Sequence, residues 1–522
     1  MNKKIFFLFV TILPILCSCV SIWPQPKTVF SGDEQIVIDP SNFEILAEGA
    51  GAVSQILQDR INEYKQLMFP FPTESMKTQD QDSINQLKII VQSDNEQLVL
   101  GVDESYTLSI TFSPLAVGEI DSQTIWGAIR GLETFTQLIA YNYSTEDYSI
   151  SELPITIHDE PHFPWRGILL DTARHFYPIP IIKDFIRSMS FSKFNTFHWH
   201  IVDAQSFPLQ VNNYPLLSEK GAFCPWCTYS FDQIKDLISF AKGYGIRVVP
   251  EIDGPGHDGS FGKGYKDLIS NCPIWGEINQ NFVTINPTKQ LTYDVMTDIW
   301  TEFSSVMEDN YLHFGGDEVY TLCWLEDSEI RQWMEDHDMS TKQLEEYYFE
   351  KMSHIATSLG KKFVVWNEVF ALQNSSLLQN AIIQVWNNGE VLKDIVEAKI
   401  QALASFGWYL DQQHPNDKEY YEWMDTWKGM YYNEPTNGIE SGEEYILGGE
   451  ACMWSEQVFP SSLQTRVWPR ACAVGERLWS QKDVLDEQDE TDRLNKFSCI
   501  LNQRKIPTSP LSPGFCYTGN NS

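Results

Sequence analysis

The chain has 522 residues, is 43 % hydrophobic and 13 % aromatic, and carries a formal net charge of −34. That apolar content can bury a large core and excludes a disordered or collagen-like chain. The acidic surplus, with no basic run, makes nucleic acid and anionic membranes poor partners, and a sequence pI of about 4.6 suits an acidic compartment as well as an ordinary acidic surface.

Residues Met1 to about Ser21 place Lys3 and Lys4 before the apolar run Ile5 to Leu16 and small residues near Ser18, the layout of a secretory signal peptide. Leu16-Cys17-Ser18-Cys19 also reads as a bacterial lipoprotein cleavage site. No later stretch holds about twenty uninterrupted apolar residues, so no membrane span is predicted. Cysteines beyond Cys17 and Cys19 can form bridges in an oxidising compartment, without their pairing being fixed. Cys224-Pro-Trp-Cys227 has redox-motif spacing, although a local bridge in a loop is the preferred reading. Acceptor tripeptides at Asn142, Asn374 and Asn520 suit a eukaryotic secretory route and glycosylation.

Residues 22–160 read as a small α+β domain. Gln35 to Ile38 and Leu87 to Val91 are predicted strands. Ile125 to Tyr141 is a predicted helix, with Ile125, Ala128, Leu132, Phe135 and Leu138 on one face. After the turn-rich stretch His158 to Pro164, short apolar runs alternate with helical patterns: Gly167 to Asp171, Phe194 to Asp203, Ile246 to Asp253, Tyr311 to Val319, Phe363 to Val369, Ala381 to Trp386, Ala402 to Asp411 and Tyr445 to Glu456. Amphipathic helices fit between them, such as Phe231 to Gly243, where Ser230 and Gln233 form a capping box. Eight such units predict an α/β (β/α)8 TIM barrel over 161–522, with a C-terminal helical extension. A doubly wound sheet competes, but no glycine-rich phosphate loop follows the first strand.

Nearly every predicted strand finishes in a polar or aromatic group: Asp171, Asp203, Asp253 with His257, Asp317 with Glu318, Glu368, Trp386, Tyr409 with Asp411, and Trp454 with Glu456. In a barrel these ends share one mouth. The glycines of His313-Phe-Gly-Gly-Asp317-Glu318 permit backbone angles that send adjacent side chains into one cavity. Repulsion and desolvation should then hold one carboxyl protonated, a general acid beside a permanent anion. Trp366, Trp386 and Trp454 at strand ends offer flat apolar walls, while Trp408 is assigned to the core. Acids beside indole faces describe a carbohydrate pocket.

His198-Trp-His200 with Asp203 also fits metal-dependent hydrolases, with His257 and His313 as further ligands. In the metal-free alternative the two histidines bond neighbouring loops, and Asp203 orients His257, which touches Glu318 and tunes its proton affinity. We take that alternative and expect neither metal nor cofactor.

Arg166-Gly-Ile-Leu-Leu-Asp-Thr-Ala-Arg-His175, Phe197-His-Trp-His-Ile-Val-Asp203, Pro255-Gly-His257, His313-Phe-Gly-Gly-Asp-Glu318 and Gly448-Gly-Glu-Ala-Cys-Met-Trp454 together resemble the β-N-acetylhexosaminidases of glycoside hydrolase family 20, the eukaryotic lysosomal and secreted type, from about Trp23 to Cys516. The resemblance implies exo-hydrolysis of terminal β-linked N-acetylglucosamine or N-acetylgalactosamine, in which the substrate's own acetamido oxygen attacks the anomeric carbon. It implies Glu318 as acid and base, Asp317 on the acetamido N–H, Tyr409 on the acetamido oxygen, and Trp366, Trp386 and Trp454 around that group. Arg166 would bind the 3- and 4-hydroxyls, Glu456 the 4-hydroxyl and Asp411 the 6-hydroxyl, with Asp203 and His257 behind Glu318. It further pairs Cys272 with Cys323 and Cys499 with Cys516, leaves Cys452 and Cys472 as thiols, and implies a lysosomal or secreted location and a homodimer.

Two departures from the family pattern stand out. Ala204 follows Asp203 where human-type members usually carry a second acid. Asp411-Gln412 resembles the isoform acting on neutral substrates, which predicts poor tolerance of a 6-sulfate. The competing class is a catalytically dead carbohydrate-binding relative, which would be expected to have lost the acid.

Overall fold

The computed structural model describes residues 20–73, 83–111, 116–411, 425–482 and 490–516. The predicted leader before residue 20, Gln412 and Asn520 lie outside the described residues.

The N-terminal sheet contains β1 (Thr28–Ile38), β2 (Glu44–Glu48), β3 (Ser83–Ile84), β4 (Gln86–Val91), β5 (Tyr106–Thr111), β6 (Val117–Ser122), β7 (Ala140–Asn142) and β8 (Asp147–Asp159). Its order is β2-β4-β6-β5-β8-β1-β3, with β7 pairing β8. Burial alternates along β4 and β5, so one face is apolar and is covered by the helix Ile125–Leu138, against which the helix Gln55–Met68 packs. The second helix ends at Leu138, before the predicted Tyr141, because Ala140–Asn142 pair with β8.

All eight predicted barrel strands are present: β9 (Trp165–Asp171), β10 (Thr196–Val202), β11 (Arg247–Ile252), β12 (Tyr311–His313), β13 (Lys362–Trp366), β14 (Ala381–Val385), β15 (Gln401–Ala404) and β16 (Ile446–Met453). Each pairs in parallel with the next, and β16 pairs with β9 to close the ring. Strands β9, β10 and β11 are buried at every position, as a sheet covered on both faces requires. β12 stops at His313, well short of the predicted Val319, because Gly315 (φ +67°) and Gly316 (φ +104°) take left-handed conformations that end the ladder.

The barrel interior is layered. At its N-terminal end Trp165, Val249, Tyr311, Val364, Ile382 and Leu403 form an apolar plug. Above it lie His198, Glu251, His313, Gln384 and Glu450, all buried. Leu169, Trp366 and Cys452 top the stack, with Trp386, Tyr409 and Trp454 packed against them. Trp408 is buried and donates its indole N–H to Met430 O, as assigned. Charged clamps join sheet to barrel: Glu104 holds Arg130 and Arg166, and Lys193 reaches Asp159 at 2.8 Å.

The bridges Cys224–Cys227, Cys272–Cys323 and Cys499–Cys516 are formed, and Cys452 and Cys472 are buried thiols. No helix among the described residues is long and apolar enough to cross a membrane.

Candidate active site

The reversal after β12 builds the site. A Cβ on Gly315 would lie 1.7 Å from Asp253 Oδ1, so only glycine lets this loop pass the end of β11. Asp253 Oδ1 in turn accepts the Gly254 and Gly316 N–H groups at 2.7 and 3.2 Å. Glu318 itself is held at φ +48°, a costly setting for a side-chain-bearing residue. The result brings Asp317 and Glu318 into one cavity of about 210 Å3, together with Arg174, His257, Trp366, Trp386, Tyr409, Asp411, Trp454 and Glu456.

The walls are tethered. Trp366 donates its indole N–H to Glu251 Oε1 at 2.9 Å, and Trp386 donates to Glu368 at 3.0 and 3.1 Å. Trp454 stands 6.0 Å from Trp366, centroid to centroid, with the Arg174 guanidinium 5.1 Å from its ring. Tyr409 is positioned by a bridge to Cys452 on β16 and by its N–H, which donates to Asp425 at 2.9 Å.

Behind the acids runs a relay. His257 Nδ1 is 3.3 Å from Asp203 Oδ1, and its Nε2 lies 3.3 Å from Glu318 Oε2 and 3.8 Å from Asp317 Oδ2. Against the cost of burial, Arg174 and His257 hold the Asp203 carboxyl well below its ordinary range. His257 rises well above an ordinary imidazole despite its burial, because Asp203 and Glu318 favour its cation. These contacts match the expected order Asp203, His257, Glu318.

One expectation is reversed. The contact with His257 lowers Glu318, whose side chain is still 61 % exposed, whereas burial and the charges of Glu251 and Glu318 raise Asp317. The imidazolium thus favours the Glu318 anion more than the Asp317 anion in this geometry, since it faces Glu318 more closely.

A second correction concerns Arg166. It opens β9 at the end of the barrel opposite the cavity and is fully buried, bonding Glu104 at 2.6 Å and the carbonyls of Lys193 and Phe163 at 2.9 Å each. The pocket arginine is Arg174, just past the C-terminal end of the same strand. It contacts Asp203 at 2.8 Å, Asp171 at 3.3 Å and Glu456 at 4.0 Å.

The two histidines of His198-Trp-His200 bond buried carboxylates, of which only Asp203 lies in a loop, just after β10. His198 meets Glu450 at 2.8 Å and Glu251 at 3.1 Å; His200 meets Glu251 at 2.5 Å and Asp203 at 2.9 Å. Both nitrogens of each ring face a carboxylate in this geometry. Glu251 also lies 3.1 Å from His313 Nδ1. Despite burial, His200, His313 and His198 hold its carboxyl well below the usual range, and Glu450 and Glu251 raise His198 to about 9. Sequence reasoning passed over Glu251 and Glu450. Their signal is a lone acid inside an otherwise apolar strand, in register with His200 and His313 on adjacent strands for Glu251.

Comparison with known proteins points to one family. The family model described as "Glycosyl hydrolase family 20, catalytic domain" matches residues 163–482, and one described as "beta-acetyl hexosaminidase like" matches 22–138. The chain belongs to glycosyl hydrolase family 20. A relative named beta-hexosaminidase subunit A1, from Dictyostelium discoideum, is 39 % identical over 518 residues, covering 99 % of this chain and 95 % of its own. Beta-hexosaminidase subunit beta of Homo sapiens is 38 % identical over 514 residues, covering 95 % and 89 %. The Flavobacterium johnsoniae chitobiase structure superposes with a TM-score of 0.79 at 26 % identity, covering 93 % of this chain and 73 % of that one. The family-20 catalytic match spans the whole barrel and includes every residue lining the cavity, so the chain is a glycoside hydrolase.

Proposed function

We propose that this chain removes terminal, non-reducing, β-linked N-acetylglucosamine or N-acetylgalactosamine, with the sugar's own acetamido oxygen as nucleophile. The observation that carries this is the convergence of Asp317, Glu318 and Tyr409 with three indoles in one small cavity. Trp366, Trp386 and Trp454 enclose the acetamido group and align its oxygen with the anomeric carbon. Asp317 accepts the acetamido N–H and stabilises the positive charge as the oxazolinium ring closes; Tyr409 donates to the acetamido oxygen. Glu318 protonates the leaving oxygen, then takes a proton from the water that opens the ring, with retained configuration.

This chemistry needs the proton on Glu318 and the negative charge on Asp317. A seated sugar strips water from the exposed Glu318, which raises it, while the acetamido N–H favours the Asp317 anion. Arg174 takes the role first given to Arg166 and binds ring hydroxyls with Glu456, while Asp411 faces the 6-hydroxyl. A catalytically dead relative is disfavoured by the presence of acid, anion and tyrosine in one cavity.

The leader-like N-terminus and the three bridges support a secretory route to a lysosomal or extracellular site. The family resemblance supports a homodimer, for which sedimentation at twice the monomer mass is the expected result. The reaction is tested by paired aryl β-glycosides with and without the 2-acetamido group: the former should turn over at least about a thousandfold faster, and Glu318→Gln should abolish turnover of it. Equal rates for the two glycosides would refute the internal nucleophile.

A further inference from the structure

The sugar cavity meets a second and larger space. His257 and Glu318 line both, and beyond them lies a groove of about 710 Å3. Glu318, as the acid proposed above, must stand between the terminal sugar and its leaving group. The groove on its far side is thus where that leaving group goes.

Its walls are built from four separate segments. Phe282 and Tyr320 stack at 4.1 Å and 15°, with Trp275 edge-on to Tyr320 at 5.3 Å. The Cys272–Cys323 bridge ties together the two stretches that carry these rings. Opposite, the turn Asn367–Leu372 contributes Glu368, whose carboxylate is occupied by the Trp386 indole N–H. The helix Thr341–Ser358 contributes Lys342 and Glu345. Lys342 is engaged, donating to Ala371 O at 3.0 Å.

Glu345 is the odd member. It is only 9 % exposed, lines the groove, and makes neither a hydrogen bond nor an ion pair with any described residue. Its carboxyl opens onto the groove without a protein hydrogen-bond partner, so its hydrogen-bonding capacity there is available to a ligand. Burial and the neighbouring Glu346 raise it to about 7, so it can donate as well as accept near neutral pH.

We infer that this groove binds the leaving-group saccharide, with Glu345 hydrogen-bonding a hydroxyl of the second sugar and Phe282 with Tyr320 forming an apolar wall beside it. The ligand class is a β-linked oligosaccharide of two or more residues, since the groove sets a stacked aromatic wall beside side chains that can bond hydroxyls. This rests on Glu318 being the acid, and Glu345 acts on leaving-group affinity, not on the chemical step.

The test compares two substrates on the purified full chain: a 4-nitrophenyl N-acetyl-β-glucosaminide, whose leaving group has no sugar hydroxyl, and N,N′-diacetylchitobiose. Glu345→Leu should lower kcat/KM for the disaccharide about tenfold, mostly through KM, and leave the aryl glycoside within about twofold. Glu345→Gln, which keeps shape and one hydrogen bond, should shift the ratio of the two by about threefold and carries the test if the leucine variant does not fold. Equal losses on both substrates, or an unchanged ratio in both variants, would overturn the inference. Wild-type protein inert toward both substrates would instead overturn the proposed hydrolase reaction.

Discussion

Replacing Arg174 by lysine separates the two arginines that the strand β9 segment offers. The guanidinium spans Asp203 at 2.8 Å, Asp171 at 3.3 Å and Glu456 at 4.0 Å while facing the cavity. A lysine keeps one positive charge near Asp203 but cannot reproduce the planar fork. Two lost charge-assisted bonds to sugar hydroxyls, at about 1.5–3 kcal/mol each, amount to about 3–6 kcal/mol of transition-state binding, or roughly 10²- to 10⁴-fold in kcat/KM. Because the charge beside Asp203 survives, stability should fall by only about 1 kcal/mol. Arg166→Met should do the opposite. It strips Glu104 of a 2.6 Å partner while Arg130 remains at 2.9 Å, so the cost belongs near the low end of about 3–5 kcal/mol, with KM of the folded fraction unchanged. Aryl-glycoside kinetics and urea unfolding on both variants decide the matter. Full activity in Arg174→Lys, with KM raised in a stable Arg166→Met, would refute the placement of the sugar-binding arginine.

Asp317→Asn should lower kcat with little change in KM, since an anion about 4 Å from a developing positive charge is worth about 4 kcal/mol at an effective dielectric of 20; steady-state kinetics that show only a KM effect would contradict this. His198, raised to about 9 from 6.5, contributes stability fully present below pH 6.5 and lost as pH rises through about 9, about 3 kcal/mol in all. Urea unfolding of the unaltered protein between pH 6 and 10 should show that loss, and a flat profile would contradict it. With Asp411 on the cavity wall, a 6-sulfated aryl glycoside should turn over at least about tenfold less efficiently than its plain counterpart; parity would sink the charge argument.

The barrel was legible because each strand is a short apolar run closed by a polar or aromatic residue, and strand-end geometry turns that pattern into a shared mouth. Asp317, Glu318, Tyr409 and the three indoles were found that way. Strand lengths were overread where the chain leaves the ladder without losing hydrophobicity, as at Phe314 after His313 and at Phe406 after Ala404. Arg166 was misplaced by its motif, although its position at the start of a strand already put it at the far end of the barrel from the catalytic face. Glu251 escaped notice since its importance lies in partners from three other strands, which one-dimensional spacing cannot show. The opposite tuning of Asp317 and Glu318 depends on which oxygen the imidazole approaches, a matter of tenths of an ångström.

The alternation of imidazole and carboxylate from Glu450 through His198, Glu251, His200, Asp203 and His257 to Glu318 has a consequence for inheritance. A lone replacement at a buried member of that column, Glu318 being the exposed end, strands an opposite charge with no water to receive it, at about 3–5 kcal/mol. Positions 198, 251 and 450 should therefore drift only in concert, and a library randomising them singly should return almost nothing that folds, while paired randomisation at 198 and 450 recovers survivors.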